Sequence, residues 1–556
     1  MRFINCHSYD LETFELSEAP PFAILSHTWG GGEVTFDNLR QPGNRAGPGW
    51  EKIERTCRQA LKDGWGYAWV DTCCIDKSSS AELSESINSM FKWYLHAEVC
   101  YVFLADYTHS GDEDTQEGGI SGSRWFTRGW TLQELIAPSR MEFYDKDWQH
   151  IGSKGSLGSC LSKATGIDEE ILRVSSQDSV RARLDACTIA QRMSWAASRT
   201  TKREEDMAYC LLGIFGINMP MLYGEGGPRA FLRLQEEIVK ESSDMTIFAW
   251  QTSAQDPTCD FQEAQHQQSS HQEKTYHGVF AAKPSDFRYA SRLTVPDDHR
   301  AQEYTMTNKG LKLSGGPELR AFGHDMFFLC LHCHHPDHPQ RSCGIYLQSH
   351  GPEMFARVHP ERLVLEPDCA YSSPAQIYIS KHLRARELNA LRVSQRRIIK
   401  FTFAYTPKIY RCKTLAVEPR NQWNPHEGHF MLTPGQASFT GFYRVSWHRN
   451  ELQKGNSPNR MTDGEFIVLC GYKKASGPWA CVIAPDFDGA LYRVTTSMDL
   501  KLAGELGSRM KYNTTTPLKN QSRTTVIKLE EEVAADERLL AVVKIDVNVG
   551  TFKDAR

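Results

Sequence analysis

The chain of 556 residues is too long for one hydrophobic core, so two to four domains are expected. Charged residues make up 24% of the sequence and the formal net charge is −4, which excludes nucleic-acid or anionic-membrane binding through overall charge. The sixteen cysteines lie mostly inside apolar runs, which is typical of reduced thiols in an intracellular protein and not of a disulfide scaffold. These features predict a cytoplasmic protein without a nucleic-acid partner.

The sequence has neither the pattern of a secretory signal nor that of a membrane span. Residues 1–16 contain no apolar core of a signal peptide. The longest apolar run, residues 207–223, is short for a span and is interrupted by two glycines, an asparagine and a proline. It predicts a buried helix that ends near Ile217.

Short apolar runs alternate with amphipathic segments over the first 150 residues. The predicted strands are residues 21–26, 67–70, 99–104 and 141–144. Helical spacing of apolar residues predicts a helix over 50–62 and another after Ser79, where Glu82 completes a possible capping box. Continuous apolar strands that alternate with helices predict a mostly parallel sheet covered on both faces.

Polar side chains follow three of these strands. Ser26 and His27 end the first, while Asp71 and Asp106 follow the second and third. In such sheets, ligands bind at the carboxyl ends of the strands, so these side chains mark a candidate site.

The stretch at residues 123–135, SRWFTRGWTLQEL, opens toward the same edge. Its Glu134 has two interpretations. With Thr131 as N-cap it completes a capping box, and the nearby tryptophans belong to the core. Alternatively, Glu134 belongs to the candidate site.

Three blocks of this region resemble those of the fungal heterokaryon-incompatibility (HET) domain: AILSHTWG at 23–30, WVDTCCIDK at 69–77 and RWFTRGWTLQELIAP at 124–138. Residues 190–226 and 230–250 are similar to the extension that often follows it. The resemblance covers about the first 250 residues and implies a role in fungal non-self recognition and programmed cell death.

HET domains are considered remote relatives of TIR domains. Here VFLADY at 102–107, followed by SRW and then WTLQEL at 130–135, is similar to the strand, loop and WCLDEL-type segment of plant TIR domains. The glutamate of that segment is catalytic in NAD-cleaving TIR domains, and Glu134 matches it. The chain differs by a longer loop at 110–122 and by an inserted FTRG at 126–129. The resemblance implies a TIR/flavodoxin-like sheet with flanking helices and NAD+ as the substrate, with no further cofactor.

Cleavage of the nicotinamide–ribose bond passes through an oxocarbenium-like state that one carboxylate can stabilise, since nicotinamide leaves as a neutral group. Glu134 is then the candidate catalytic residue. Aromatic rings could stack on the nicotinamide, arginines could hold the pyrophosphate, and polar groups could line the pocket. The candidate substrate-binding residues are Ser26, His27, Trp29, Asp71, Asp76, Arg124, Trp125, Arg128 and Trp130.

Each of these residues also has a structural alternative. Tryptophans are common in cores, and Asp71 could bind loop amides. A nucleophilic pair of Ser26 and His27 is not expected, because neighbours on a strand point to opposite sides.

The remaining sequence predicts a helical extension at 151–250, with helices over 185–217 and 228–242, and a flexible linker at 251–275. Short alternating apolar segments predict a β-rich domain, a sandwich or barrel, at 276–556. One cluster there could bind zinc, but a single CxxC with alternating flanks favours a β-hairpin, and no metal site is expected. The cluster comprises Cys330, Cys333, His334, His335, His338 and Cys343.

The sequence therefore predicts a TIR-like α/β domain at residues 1–150 that cleaves NAD+ and is activated by a protein partner or by self-association. The alternative is a non-enzymatic signalling module that acts through homotypic assembly.

Overall fold

The computed structural model describes the N-terminal 296 residues with four internal gaps, and the remainder as strands with their adjoining turns. The described ranges are 1–41, 46–109, 119–173, 177–252, 275–296, 302–315, 319–322, 326–351, 353–361, 363–367, 376–384, 388, 391, 398–404, 410–424, 429–431, 438–449, 464–473, 477–483, 516–520, 523–531 and 539–551. Most of the predicted linker, residues 253–274, lies outside them.

The N-terminal region contains a mixed sheet. Its strands are Arg2–Asn5 (β1), Leu11–Thr13 (β2), Phe22–His27 (β3), Tyr67–Trp69 (β4), Val99–Phe103 (β5), Met141–Tyr144 (β6) and His150–Ser153 (β7). Within the described residues, the order is β2-β1-β4-β3-β5-β6-β7. The four central strands are mutually parallel, and β1, β2 and β7 pair antiparallel at the edges.

The four strands predicted from apolar runs are confirmed, and they form the parallel centre of the sheet. Every residue of β3 is buried because β4 and β5 flank it. The edge strands β1, β2 and β7 were not predicted, since three or four residues with mixed polarity give no clear period.

Helices occupy the connections and the segment after β7. They are Phe36–Leu39 (α1), Pro48–Lys62 (α2), Ser80–His96 (α3), Thr131–Ile136 (α4), Gly158–Thr165 (α5), Glu169–Leu172 (α6), Gln177–Ala186 (α7), Ile189–Ser194 (α8), Asp206–Tyr209 (α9), Leu212–Phe215 (α10) and Gly227–Glu241 (α11). Short 3-10 helices cover Leu16–Glu18, Arg124–Thr127, Met245–Phe248, Pro284–Phe287 and Arg420–Gln422.

The chain crosses the sheet in two directions from β3. It passes through α2 to β4 on one side, then through α3 to β5 on the other. In the β3–β5 pairing, Ser26 lies opposite Val102 and His27 lies opposite Phe103. The carboxyl ends of β3 and β5 therefore meet at one edge, where the direction of winding reverses.

The single long helix predicted over 185–217 is wrong. The chain there forms the short helices α7, α8, α9 and α10. Thr188 ends the first run by accepting a hydrogen bond from the Gln191 amide as the N-cap of α8. Gly216, with φ 71°, ends the last in the left-handed region. The helix predicted over 228–242 is confirmed as α11, which begins one residue before Pro228.

From residue 276 the described residues are mostly strands, which confirms the predicted β-rich character. A nine-stranded sheet contains Tyr276–His277 (β8), Glu303–Thr307 (β9), Gly310–Ser314 (β10), Leu319–Phe322 (β11), Met326–His335 (β12), His338–Gly351 (β13), Met354–Val358 (β14), Val364–Pro367 (β15) and Gln376–Ile379 (β16). Sheets of six and four strands in the described part contain Ile398–Ala404 (β17), Tyr410–Glu418 (β18), Trp423–Asn424 (β19), His429–Met431 (β20), Ser438–Arg449 (β21), Gly464–Lys473 (β22), Gly477–Ile483 (β23), Thr516–Asn520 (β24), Arg523–Glu531 (β25) and Leu539–Thr551 (β26).

The cysteine- and histidine-rich cluster is a β-hairpin, as predicted. It lies on β12 and β13, with Cys333 opposite Cys343 in the antiparallel register. Over the described residues, no group of three or more His, Cys, Asp or Glu side chains has the arrangement of a metal site.

Two further findings concern the core. Twelve cysteines of the described part are free and buried, in agreement with their predicted use as small hydrophobic residues. In the same part of the chain, no helix combines the length and the apolar character that a membrane crossing requires.

A buried arginine joins the α-helical extension to the nine-stranded sheet. Arg357 on β14 is 0% exposed, and its Nη1 donates to the Phe248 carbonyl at 2.8 Å. Its Nη2 donates to the carbonyl of Trp250, and the guanidinium lies 3.7 Å from the centroid of that indole ring. Burial lowers the pKa of Arg357 to about 9. We call this arrangement the Arg357 clasp.

Gly213 permits the close approach of α10 to α3. A Cβ atom at this position would lie 2.1 Å from Cβ of Phe91. We expect Gly213→Ala to lower the free energy of unfolding by roughly 1–3 kcal/mol, because the two helices must separate. Chemical denaturation of the full chain measures this change. Gly155→Ala is the matched control, since the nearest atom to its Cβ would be 3.8 Å away. Equal stability of the two variants would contradict the packing argument.

Candidate functional site

A buried hydrogen-bond network surrounds Glu134. Ser26, the next-to-last residue of β3, is 0% exposed and donates from Oγ to Glu134 Oε2 at 2.5 Å. The indole Nε1 of Trp125 donates to the same Ser26 Oγ at 2.8 Å. Since the hydroxyl accepts from Trp125, its single hydrogen is directed at the carboxyl group. The network thus joins β3, the 3-10 helix 124–127 and α4.

Tyr94 on α3 closes the other side of the carboxyl group. Its hydroxyl is hydrogen-bonded to Glu134 and donates to the Leu25 carbonyl at 2.9 Å. Because a tyrosine hydroxyl has one hydrogen, a protonated Glu134 can donate to the Tyr94 oxygen. The arrangement therefore accommodates the neutral carboxyl group with every hydrogen-bonding atom used.

Burial shifts the titration of this group. Glu134 is 7% exposed, and desolvation raises its pKa to about 8. The hydrogen bond from Ser26 lowers the pKa, while the negative charge of Asp71 raises it. Glu134 is therefore mostly protonated at neutral pH in this conformation.

The predicted capping box at Thr131 and Glu134 is wrong. Trp130 is the N-cap of α4, and it makes no side-chain cap hydrogen bond. Thr131 Oγ1 instead donates back to the carbonyl of Trp125 at 2.6 Å, and it also lies 2.9 Å from the Arg128 carbonyl. Glu134 is free of the capping role because its carboxyl group points to β3.

A second network lies at the end of β3. His27 Nε2 is 3.1 Å from Asp71 Oδ1, and the indole Nε1 of Trp29 donates to Asp71 Oδ2 at 2.8 Å. Lys52 Nζ lies 3.3 Å from His27 Nδ1. An ammonium is only a donor, so His27 Nδ1 accepts and Nε2 carries the proton that Asp71 binds. Lys52 is also paired with Glu33.

Asp71 is held as a carboxylate by these contacts. Desolvation raises its pKa, but the hydrogen bond from His27 and the positive charge of Lys77 outweigh this effect, and the net pKa is below the usual value. Asp71 is thus ionised beside a Glu134 that is mostly neutral. Two carboxyl groups with pKa values shifted in opposite directions are typical of catalytic sites.

Trp29 is an exposed aromatic surface next to this network. It is 40% exposed, and Lys77 Nζ lies 3.6 Å from its ring centroid. Lys202 Nζ lies 5.6 Å from the same centroid. Arg124 Nη2 donates to the Trp29 carbonyl at 3.3 Å and to Thr28 Oγ1 at 3.1 Å.

The extension contributes directly to the site. Arg199 Nη1 donates to the Arg128 carbonyl at 2.8 Å and to Thr131 Oγ1 at 2.9 Å, at the start of α4. The Thr200 backbone pairs with Thr127 and Gly129. A Cβ at Gly129 would lie 2.6 Å from Cγ2 of Thr201, so this glycine permits the close contact.

A buried lysine supports the other end of α4. Lys154 is 3% exposed and donates to the carbonyls of Ile136 and Pro138, at 3.3 and 2.8 Å. A cation at a helix carboxyl end is electrostatically favourable, although burial lowers the pKa of Lys154 to about 7. The sequence gave no signal for this residue, since the contact joins β7 to the turn before β6.

The structure brings most of the predicted site residues together. Ser26, Trp125 and Glu134 form one network and His27, Trp29 and Asp71 the next, with Arg124 beside Trp29. Trp125 is 0% exposed, so in this conformation it positions Ser26 and offers no stacking surface.

Three predicted residues have other contacts. Trp130 is hydrogen-bonded to Asp206 of α9, and the Arg128 carbonyl is bound by Arg199. The Asp76 carboxylate accepts from the backbone and hydroxyl of Ser78, which forms a turn before α3. Contact of these residues with substrate stays a prediction.

Three residues of this region were not identified from the sequence: Tyr94, Arg199 and Lys202. Tyr94 has the spacing of a core residue on an amphipathic helix, and the other two lie in a polar segment between short helices. Only the long-range contacts show that they belong to the site.

Comparison with known proteins agrees with this arrangement. Residues 22–118 match the family model described as heterokaryon incompatibility protein (HET). The chain contains a HET domain. Residues 229–314 match a second model, described as a domain of unknown function (DUF8212), which spans α11 to β10.

One relative is vegetative incompatibility protein HET-E-1 of Podospora anserina, with 46% identity over 228 residues. The aligned segment covers 40% of this chain and 16% of that relative, so the two share a HET-containing segment and not a whole architecture. No solved structure matches the chain. The HET match ends before α4, so the assignment of Glu134 depends on its geometry.

The shifted pKa of Glu134 makes stability depend on pH. Above about pH 4.3 the unfolded chain ionises this group, whereas the folded chain keeps it protonated up to about pH 8. The folded chain then binds more protons, so this contribution to stability is lost as pH rises, by up to about 5 kcal/mol. We expect Glu134→Gln, which keeps both hydrogen-bonding positions, to become more stable relative to the wild type as pH rises from 5 to 8.

Chemical denaturation of both proteins across this pH range measures the difference. Lys154 and the other titrating groups are present in both chains and cancel from it. Glu98→Gln, an exposed carboxylate next to β5, is the control and should show no such trend. A constant difference between Glu134→Gln and the wild type would contradict the raised pKa.

Proposed function

We propose that the chain acts in fungal heterokaryon incompatibility and triggers programmed cell death by hydrolysing NAD+, with Glu134 as the catalytic carboxylate. The first part is supported by the HET domain and by the named role of the Podospora relative in vegetative incompatibility. The single observation that carries the second part is the buried Glu134, held by Ser26 at the carboxyl end of β3.

The position of Glu134 supports a ligand site. In chain order the four parallel strands lie second, first, third, fourth across the sheet, which is the order of flavodoxin-like folds. In such folds, ligands bind where the winding direction reverses, here between β3 and β5. Ser26 ends β3 at this point, and it donates to Glu134. The proposed TIR-like character depends on this order together with the segment resemblance.

The proposed reaction breaks the bond between ribose C1′ and nicotinamide N1. The electron pair of that bond leaves with N1, which becomes neutral, and C1′ becomes an oxocarbenium-like centre. An ionised Glu134 stabilises this positive charge, and the oxygen of a water molecule then bonds to C1′ as one proton is released. The products are nicotinamide, ADP-ribose and a proton.

This chemistry requires Glu134 to be ionised and accessible. In the structure described here it is 7% exposed and mostly protonated at neutral pH. Opening of the site would hydrate the carboxyl group and restore its charge. The conformation therefore fits a resting state that a protein partner or self-association converts into an active one.

A second candidate function is a non-enzymatic signalling module that acts through homotypic assembly. The observation that favours it is the complete hydrogen bonding of the buried Glu134 by Ser26 and Tyr94, which is also what a structural carboxyl group requires. On this interpretation Glu134 positions α4, and cell death follows from assembly alone.

Nicotinamide release from NAD+ tests the enzymatic proposal. Concentrated or crowded wild-type protein should release nicotinamide, and the rate should rise several-fold from pH 7 to 8.5, as a group with a pKa of about 8 ionises. Glu134→Gln should lose at least about 100-fold of this activity, because the developing charge is no longer compensated. Glu98→Gln is the control with an equal charge change. Turnover that survives Glu134→Gln in a folded protein would refute the role of Glu134.

Expression in fungal cells separates the two functions. The enzymatic proposal predicts that cells expressing Glu134→Gln survive and keep their NAD+ level, whereas cells expressing the wild type or Glu98→Gln lose NAD+ and die. Cell death that persists in Glu134→Gln at equal expression, with NAD+ unchanged, would favour the signalling module.

A further inference from the structure

Two lysines from distant parts of the chain converge on one exposed indole. Lys77 follows β4, and Lys202 lies between α8 and α9 in the extension. Their ammonium groups lie 3.6 and 5.6 Å from the ring centroid of Trp29. The two charges are therefore at most about 9 Å apart, within the Debye length of roughly 10 Å at 0.1 M salt.

These cations have no paired anion. Within the described part of the chain, no carboxylate oxygen lies within 4 Å of either lysine ammonium. Asp71 raises the pKa of Lys77 by its charge, but its oxygens are bound by His27 and Trp29. Two unpaired ammoniums at this separation repel one another, and an anion placed between them would remove that cost.

Arg124 adds a third cationic group. The described contacts of its guanidinium use Nη2, which binds the Trp29 carbonyl and Thr28 Oγ1. A guanidinium has five N–H donors, so others are available to a ligand. The exposed face of Trp29 supplies an aromatic surface beside these donors.

We propose that Lys77 and Lys202 form a phosphate-binding pair over Trp29, which holds the pyrophosphate of an adenine dinucleotide whose nicotinamide ribose lies at Glu134. This assignment rests on the proposed function, since it places the substrate of that reaction. It differs from the sequence prediction, in which Arg124 and Arg128 held the pyrophosphate.

The connection between the two sites is short. Trp29 and His27 both bind Asp71, and His27 directly follows Ser26, which binds Glu134. A ligand can therefore contact Trp29 with its phosphates while its ribose reaches Glu134 once the site opens. Because Lys202 belongs to the extension, the proposed substrate site is complete only when the extension is present.

Calorimetric titration of the full chain with ADP-ribose, the phosphate-containing product, tests the pair. We expect Lys77→Ala and Lys202→Ala each to raise the Kd for ADP-ribose about tenfold, the effect of losing a charged hydrogen bond. Lys77→Glu and Lys202→Glu should raise it further. Both alanine variants should also weaken the salt dependence of binding, because fewer charges are paired.

Lys92→Ala, an exposed lysine on α3, is the matched control and should bind ADP-ribose as the wild type does. Adenosine, which lacks phosphate, should bind all variants equally. The pair is refuted if Lys77→Ala and Lys202→Ala bind ADP-ribose as Lys92→Ala does, or if the folded wild type binds neither ADP-ribose nor inorganic pyrophosphate.

The outcome is separate from that of the proposed function. Lysine-dependent binding of ADP-ribose without nicotinamide release would support the pair and refute the hydrolase. Nicotinamide release with an unchanged KM for NAD+ in both lysine variants would refute the pair and leave the hydrolase standing.

Discussion

The hydrogen bond from Ser26 to Glu134 places a carboxyl group inside the α/β domain, where it has to be satisfied without water. That requirement determines the neighbouring structure. Trp125 must present its indole nitrogen to Ser26 so that the serine hydrogen is directed at Glu134, and Tyr94 must complete the other side. Strand β3, α3, α4 and the 3-10 helix 124–127 are thereby held in one arrangement by one polar group.

The same requirement explains why the inserted FTRG at residues 126–129 does not disturb α4. The backbone of Thr200 pairs with this insertion, and Arg199 binds the carbonyl that follows it. The extension thus stabilises the first turn of the helix that carries Glu134. The HET match at residues 22–118 covers the sheet edge, but the site as a whole requires contacts from residues 199–202.

The sequence predicted those features that depend on local pattern. Buried parallel strands are continuous apolar runs, so β3, β4, β5 and β6 were found, and the polar residues at their ends followed from the topology. Features set by distant contacts were missed. Thr131 looked like a cap, but its hydroxyl donates backwards to Trp125, and the apolar period over 185–217 continued through breaks that Thr188 and Gly216 impose.

The candidate site follows the same division. Glu134 was singled out through resemblance and position, whereas its raised pKa depends on burial that no short motif encodes. Lys202 and Arg199 come from a polar loop far along the chain, and such residues are ordinarily solvated. Their contribution became visible only when α8 and α9 were placed against the HET domain.

The Arg357 clasp bears on how such chains can be recombined. The carbonyls of Phe248 and Trp250, at the end of the extension, take their donors from a strand more than a hundred residues later. A protein that carries the first 250 residues ahead of a different C-terminal part must supply another cation or amide at this joint. The HET-containing segment is therefore portable between architectures only together with a replacement for one guanidinium group.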